Sequence, residues 1–162
     1  STGEEPYTLA FEAHDFFGAS LISNGGLRIL GSDVNTEVLE AAIQGAYTEE
    51  QLSSVPVVFN KRYFNLASDE NNPHHLIKTE IQQLIQFRHF NLMSSKYPIA
   101  TKFQLIFCRN VLYYLQPERR EFLIRKLVDH LEEGGWLVLG ITESGYSIDK
   151  MEKHSISIYQ KI

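Results

Sequence analysis

Two short, almost wholly apolar runs constrain this chain more than anything else in it. Residues 103–108 read FQLIFC and residues 136–140 read WLVLG. Runs this short and this apolar suit strands covered on both faces, as in a parallel sheet. The segment between them is helical in pattern. Pro117 suits a first helical turn, where its missing N–H costs nothing. Ile124, Leu127, Val128 and Leu131 recur at helical spacing. Gly134 and Gly135 are then expected to end the helix. Strand, helix, strand in this order is a parallel crossover unit.

The rest of the chain fits the same plan. Residues 27–30 (LRIL) follow Asn24-Gly25-Gly26 and read as a strand. Asn35 reads as a helix N-cap, with Val38, Leu39, Ala42 and Ile43 on one face and Gly45 as the stop. Residues 85–90 read as a further strand, and residues 155–159 alternate polar and apolar as a final antiparallel strand does. Residues 67–73 (ASDENNP) read as an exposed loop, and the apolar, aromatic stretch 55–64 resists assignment. The expected fold is α/β: a mostly parallel sheet, helices on both faces and an antiparallel C-terminal strand.

Composition narrows the function. The 162 residues suffice for one domain, 1–162, with a full hydrophobic core. No apolar run approaches the about 20 residues of a membrane helix, so no membrane insertion is expected. The net charge of -5 argues against a nucleic-acid partner. The single cysteine, Cys108, has no internal disulfide partner and fits a reducing cytoplasm. At the end of an apolar strand it reads as a buried small hydrophobe. The six histidines are scattered, and His74-His75 lack a second ligand pair, so no metal is expected. The chain has no GxGxxG, no Walker loop and no GxSxG elbow.

Parallel sheets bind ligands beyond the carboxyl ends of their strands. Asp33, the pair Asn91 and Leu92, the pair Arg109 and Asn110, and Thr142-Glu143-Ser144 all follow strands, so polar groups gather at one sheet edge. The opening STGEEPY is a glycine-containing turn running into Pro6 at a helix start, with Leu9, Ala10, Phe11 and Ala13 beyond. Glu4 and Glu5 at that end would repel a phosphate and suit a cation, an ammonium or sulfonium; they equally complement the helix dipole. Asp33 is placed to accept both ribose hydroxyls of a nucleoside, or else is a solvated loop acid. Turn and acid together suggest an adenosine-containing ligand without a pyrophosphate, which S-adenosylmethionine fits. Arg109 and Asn110 suit substrate or cofactor. Of Tyr113 and Tyr114, one is expected in the core and the other facing the site.

STGEEPY, GSDVNTEVLEAAIQGAY, TEIQQLIQFRHFNLM, FCRNVLYYL and EEGGWLVLGITES resemble, in that order, the blocks of the CheR-type chemoreceptor glutamate methyltransferases. The resemblance spans nearly the whole chain, and STGEEPY with FCRNVLYYL at this separation is its most specific part. It implies a Rossmann-like catalytic domain that moves a methyl group from S-adenosylmethionine to glutamate carboxylates on the cytoplasmic domain of methyl-accepting chemoreceptors, leaving S-adenosylhomocysteine. Carried over by residue, it sets Glu5, with Glu4 beside it, near the methionine part of the cofactor and Asp33 on the ribose. Asn91 and Leu92 fall beside the adenine, and Arg109 and Asn110 at the edge of cofactor and substrate. Tyr114 falls near the transferred methyl group. It also places a small β-subdomain, used by some members to dock a receptor tail, over residues 61–90. It implies a helical domain and a central first strand ahead of Ser1. Two other readings share the same residues: a regulatory domain that binds the cofactor without catalysis, and a related methyltransferase with another acceptor.

Overall fold

The computed structural model describes residues 2–18, 25–66, 74–143 and 145–162. The loop expected at 67–73, and Ser1, Asn24 and Ser144 of the segments discussed above, lie outside the described residues. The chain divides into two compact units, Ser1–Asn91 and Leu92–Ile162.

In the first unit, helix α1 (Glu4–Phe17) buries Tyr7, Ala10 and Phe11, one face at three- and four-residue spacing. Strand β1 (Ile29–Asp33) pairs in parallel with β5 (Ile85–His89), with Ile29 opposite Ile85 and Asp33 opposite His89. The strand expected at 27–30 is therefore displaced toward its C-terminal end. Pairing sets the frame: the Ile29 N–H already donates to the Leu84 carbonyl at 2.8 Å. Helix α2 (Thr36–Gln44) starts where expected, since the Asn35 side chain accepts from the N–H groups of Glu37 and Val38. It stops at Gly45, whose φ of 59° is left-handed. Of its expected apolar face, Leu39 and Ala42 are buried, whereas Ile43 is exposed.

The stretch that resisted assignment becomes helix α3 (Val57–Tyr63), followed at once by β3 (Phe64–Leu66). Phe59 and Tyr63 lie one turn apart and both meet Phe11, Tyr63 stacked on it at 4.6 Å and Phe59 edge-on at 6.0 Å. The short strands β2 (Ala46–Tyr47), β3 and β4 (His75–Ile77) form an antiparallel sheet of order β2-β4-β3. A single turn, α4 (Thr79–Gln82), leads from it into β5.

The second unit holds the crossover that the two apolar runs imply. Strand β6 (Phe103–Cys108) pairs in parallel with β7 (Leu131–Leu139) across helix α5 (Pro117–Asp129). Helix α5 packs Leu123, Ile124, Leu127 and Val128 against Leu131, Leu137, Leu139 and Tyr159. The two glycines do not end this helix; it ends at Asp129, and Gly134 and Gly135 lie inside β7. Leu131, fully buried, pairs with Phe103, and the register then jumps so that Leu105 faces Trp136. The glycines absorb the residues in between as an irregularity in the strand. The C-terminal strand is also displaced. It is β9 (Ile158–Lys161), antiparallel to β7 and to β8 (Met151–Lys153), and the sheet order is β6-β7-β9-β8. Burial alternates at Ser157, Tyr159 and Lys161. The Lys161 ammonium reaches the Leu131 carbonyl at 3.0 Å and Glu133 at 3.1 Å.

Among the described residues β1 pairs with β5 alone and β6 with β7 alone. No helix among them is long and apolar enough to cross a membrane.

Candidate functional site

In the first unit the site is built on the turn before α1. Gly3 has φ 101°, a conformation L side chains rarely adopt. It is also wedged: a Cβ there would stand 3.0 Å from the Tyr47 hydroxyl, 3.0 Å from Tyr7 Cε2 and 3.1 Å from Ala42 Cβ. The same two tyrosines tie the turn down. Tyr7 donates its hydroxyl to the Ala42 carbonyl at 2.8 Å, and Tyr47 donates to the Thr2 carbonyl at 2.9 Å. Burial pushes the Tyr7 hydroxyl up to about 12. Burial, with the charge of Glu4 adding, raises Tyr47 as well.

Glu4 and Glu5 occupy the first turn of α1, Glu4 exposed and Glu5 half-buried. The Thr2 hydroxyl donates to the Glu4 carboxylate. Pro6 Cγ lies 3.4 Å from the point where a Cβ on Gly31 would stand, so the start of α1 rests against β1 two residues before Asp33. Asp33 is the last residue of β1, where its carboxylate accepts from the Asn35 N–H at 3.0 Å. Partial burial pushes its pKa up, and the hydrogen bonds from the Asn35 and Val34 N–H groups pull it down. An aspartate with an ordinary pKa near ~3.9 is already an ionised acceptor at neutral pH. Asn91 is exposed just beyond β5.

The boundary between the units falls after Asn91, so the expected pair is divided. Leu92 opens the second unit, half-buried against its core, and its carbonyl accepts from the Tyr97 hydroxyl at 2.5 Å. Beyond the buried Cys108 at the end of β6, Arg109 is exposed and Asn110 takes a left-handed φ of 60°. A 3-10 turn over Leu112–Tyr114 follows. Its anchor is Leu112, fully buried, and not a tyrosine. The expectation that one tyrosine packs in the core fails: Tyr113 is 71% and Tyr114 81% exposed, edge-to-face at 5.7 Å. Leucine offers the same apolar burial without a hydroxyl to satisfy, which leaves both phenols free to face outward. Arg120 of α5 holds the end of the turn, its Nε donating to the Leu115 carbonyl at 2.7 Å.

One residue of this site escaped sequence reasoning. Glu143 is only 4% exposed, and its carboxylate accepts from the N–H groups of Asn110 at 2.7 Å, Tyr113 at 2.9 Å and Gly140 at 3.2 Å. The only signal for it was its place in a polar group after an apolar strand. That signal does not separate Glu143 from Thr142, which is exposed.

The CheR methyltransferase, SAM binding domain, matches residues 1–159 of the chain. The chain belongs to this family. A chemotaxis protein methyltransferase of Borreliella burgdorferi is 30% identical over 99% of this chain and 56% of its own length. Chemotaxis protein methyltransferase 2 of Pseudomonas aeruginosa is 33% identical over 89% and 50%, and the Escherichia coli chemotaxis protein methyltransferase 32% over 89% and 49%. The chain therefore spans about half the length of these CheR relatives. Its donor set fits the group in the family's name. Within the first unit, two carboxylates at the start of α1 suit an ammonium and Asp33 suits paired hydroxyls; within the second, taken by itself, the Arg109 guanidinium suits a carboxylate. Among the described residues no group of three or more His, Cys, Asp or Glu stands where it could hold a metal ion.

Proposed function

We propose that the protein methylates glutamate side chains on the cytoplasmic domain of methyl-accepting chemoreceptors, with S-adenosylmethionine as methyl donor, and that residues 1–162 are its catalytic domain. The observation that carries this reading is the loop after β6. FCRNVLYYL, which with STGEEPY makes up the most specific part of the resemblance, is folded there with Arg109, Tyr113 and Tyr114 exposed and the backbone N–H groups of Asn110 and Tyr113 held by Glu143. In this reading Glu4 and Glu5 take the amino group of the cofactor and Asp33 its ribose. Asn91 and Leu92 border the adenine, and Arg109 and Asn110 lie where cofactor and acceptor meet. When bound, S-adenosylmethionine supplies an electrophilic methyl carbon on a cationic sulfur. The acceptor carboxylate has an ordinary pKa near ~4.3 and is ionised at neutral pH, so the protein needs no general base. Its task is to orient and to exclude water. Tyr114 supplies an exposed hydroxyl and ring to align the acceptor. Of the antiparallel sheet, β3 and β4 fall within residues 61–90, the region assigned to the small β-subdomain, while β2 precedes that region and β5 at its end pairs with β1.

Calorimetric titration of the full-length protein with S-adenosylhomocysteine, then incubation with labelled S-adenosylmethionine and chemoreceptor cytoplasmic domains, tests the proposal. Base-labile label on glutamate supports it. Cofactor binding without label on any receptor points to a regulatory module or another acceptor, and no binding at all sinks the methyltransferase reading.

A further inference from the structure

We propose that Glu143 is a positioning residue for the loop from Arg109 to Tyr114, setting how that loop presents itself to cofactor and acceptor. This rests on the methyltransferase reading above.

The argument starts from the register of β6 and β7. Cys108 lies opposite Leu139, so the two strands end side by side and their following segments emerge together. Glu143 bridges those segments. One carboxylate oxygen accepts from both Asn110 and Gly140, and the other accepts from Tyr113. Three backbone donors on one buried carboxylate are charge-assisted bonds in a setting where water competes little. They also explain the backbone of Asn110. A left-handed φ of 60° is unfavourable for a residue with a side chain, though least so for asparagine, and it persists where surrounding contacts over-determine it. That conformation turns the chain from β6 into the 3-10 turn, so the directions of Arg109 and Tyr114 depend on it. Gly140 completes the device. A Cβ there would stand 2.5 Å from the accepting oxygen of Glu143 and 3.4 Å from the Asn110 nitrogen. Only glycine admits the carboxylate. Glu143 is itself buried, so it acts through the backbone it holds and not by touching a ligand.

A glutamine at this position has the same shape but one acceptor oxygen and one N–H₂ group. Whichever way it turns, donors face donors, either at Tyr113 or at Asn110 and Gly140. Glu143→Gln is therefore the informative substitution. In the full-length protein it should retain the native circular dichroism spectrum while the backbone amide resonances of Asn110, Tyr113 and Gly140 shift upfield. Affinity for S-adenosylhomocysteine should fall roughly tenfold, as for loss of one charge-assisted contact. Transfer at saturating cofactor should fall on the order of 100-fold, as for a misplaced reacting group. Gly140→Ala should do the same with the carboxylate intact, and it decides the matter if Glu143→Gln does not fold. Ile124→Val, a helix-core change that also lowers the melting temperature, should leave affinity unchanged. Unmoved amides together with affinity within twofold of wild type would overturn the inference while leaving the methyltransferase reading in place. Failure of the wild-type protein to bind would overturn that reading, and the amide shifts would still judge the clamp.

Discussion

Replacing Gly3 with alanine probes the turn on which the first unit's site depends. Two costs add. A left-handed backbone at a residue with a Cβ costs roughly 1–2 kcal/mol. The new methyl would also press on the Tyr47 hydroxyl, the Tyr7 ring and Ala42, at 3.0, 3.0 and 3.1 Å. Overpacking of this kind costs about 1–3 kcal/mol. The sum, roughly 2–5 kcal/mol, is a large part of an ordinary domain's stability of about 5–15 kcal/mol. For a chain of this length it corresponds to a fall in melting temperature on the order of 4–20 °C. Calorimetric melting measures it. A double-mutant cycle with Tyr47→Phe sharpens the test, because removing the hydroxyl removes one of the three obstructions. Tyr47→Phe alone should cost about 1 kcal/mol for the lost bond to the Thr2 carbonyl. The double variant should then be more stable than the sum of the two single changes predicts. A Gly3→Ala protein melting within about 2 °C of wild type, or strict additivity in the cycle, would refute the account of this turn.

Further expectations concern the site, the core and pH. Asp33→Ala should weaken S-adenosylhomocysteine binding by roughly 10- to 100-fold, the worth of a charge-assisted hydrogen bond, whereas Tyr114→Phe should leave binding within about twofold and slow transfer. Equal loss of binding in both variants would contradict the division of roles. Leu137→Ala, at a fully buried position of β7, should cost about 2–5 kcal/mol in denaturant unfolding, and a cost below about 1 kcal/mol would count against the core described for the second unit. The fold should lose stability in alkali. Tyr7 ionises at 10.0 when free but at about 12 when folded, so its contribution is complete below pH 10.0 and is lost as pH climbs toward 12. Tyr97, also pushed up to about 12 by burial, acts in the same direction. Tyrosinate absorbance should show a fraction of the tyrosines titrating late, together with unfolding. Complete titration near pH 10 in a folded protein would count against buried phenols.

Much of this protein is determined by local chemistry. Asn35 caps α2 and Gly45 ends it because a short amide acceptor and an achiral residue do those jobs wherever they occur. FQLIFC is a strand, and Pro117 opens a helix, for equally local reasons. The candidate residues Asp33, Arg109 and Asn110 were legible because a polar residue directly after an apolar strand has few other places to go.

Partner-dependent features were not legible, because they rest on groups distant in sequence. The frame of β1 is set by Leu84, and the start of β7 by a pairing of Leu131 with Phe103 that makes Gly134 and Gly135 part of a strand. Helix α3 had a local signal in Phe59 and Tyr63, one turn apart, but what they bury against is Phe11. Which of Leu112, Tyr113 and Tyr114 goes inside could not be read from residue type, since all three are apolar enough to bury. Glu143 is the clearest case. Its identity is plain in the sequence, yet a carboxylate becomes a buried clamp only when tertiary packing brings the N–H groups of Asn110, Tyr113 and Gly140 to it. Hydrophobic pattern acts along the chain, whereas satisfaction of a buried charge is decided across space.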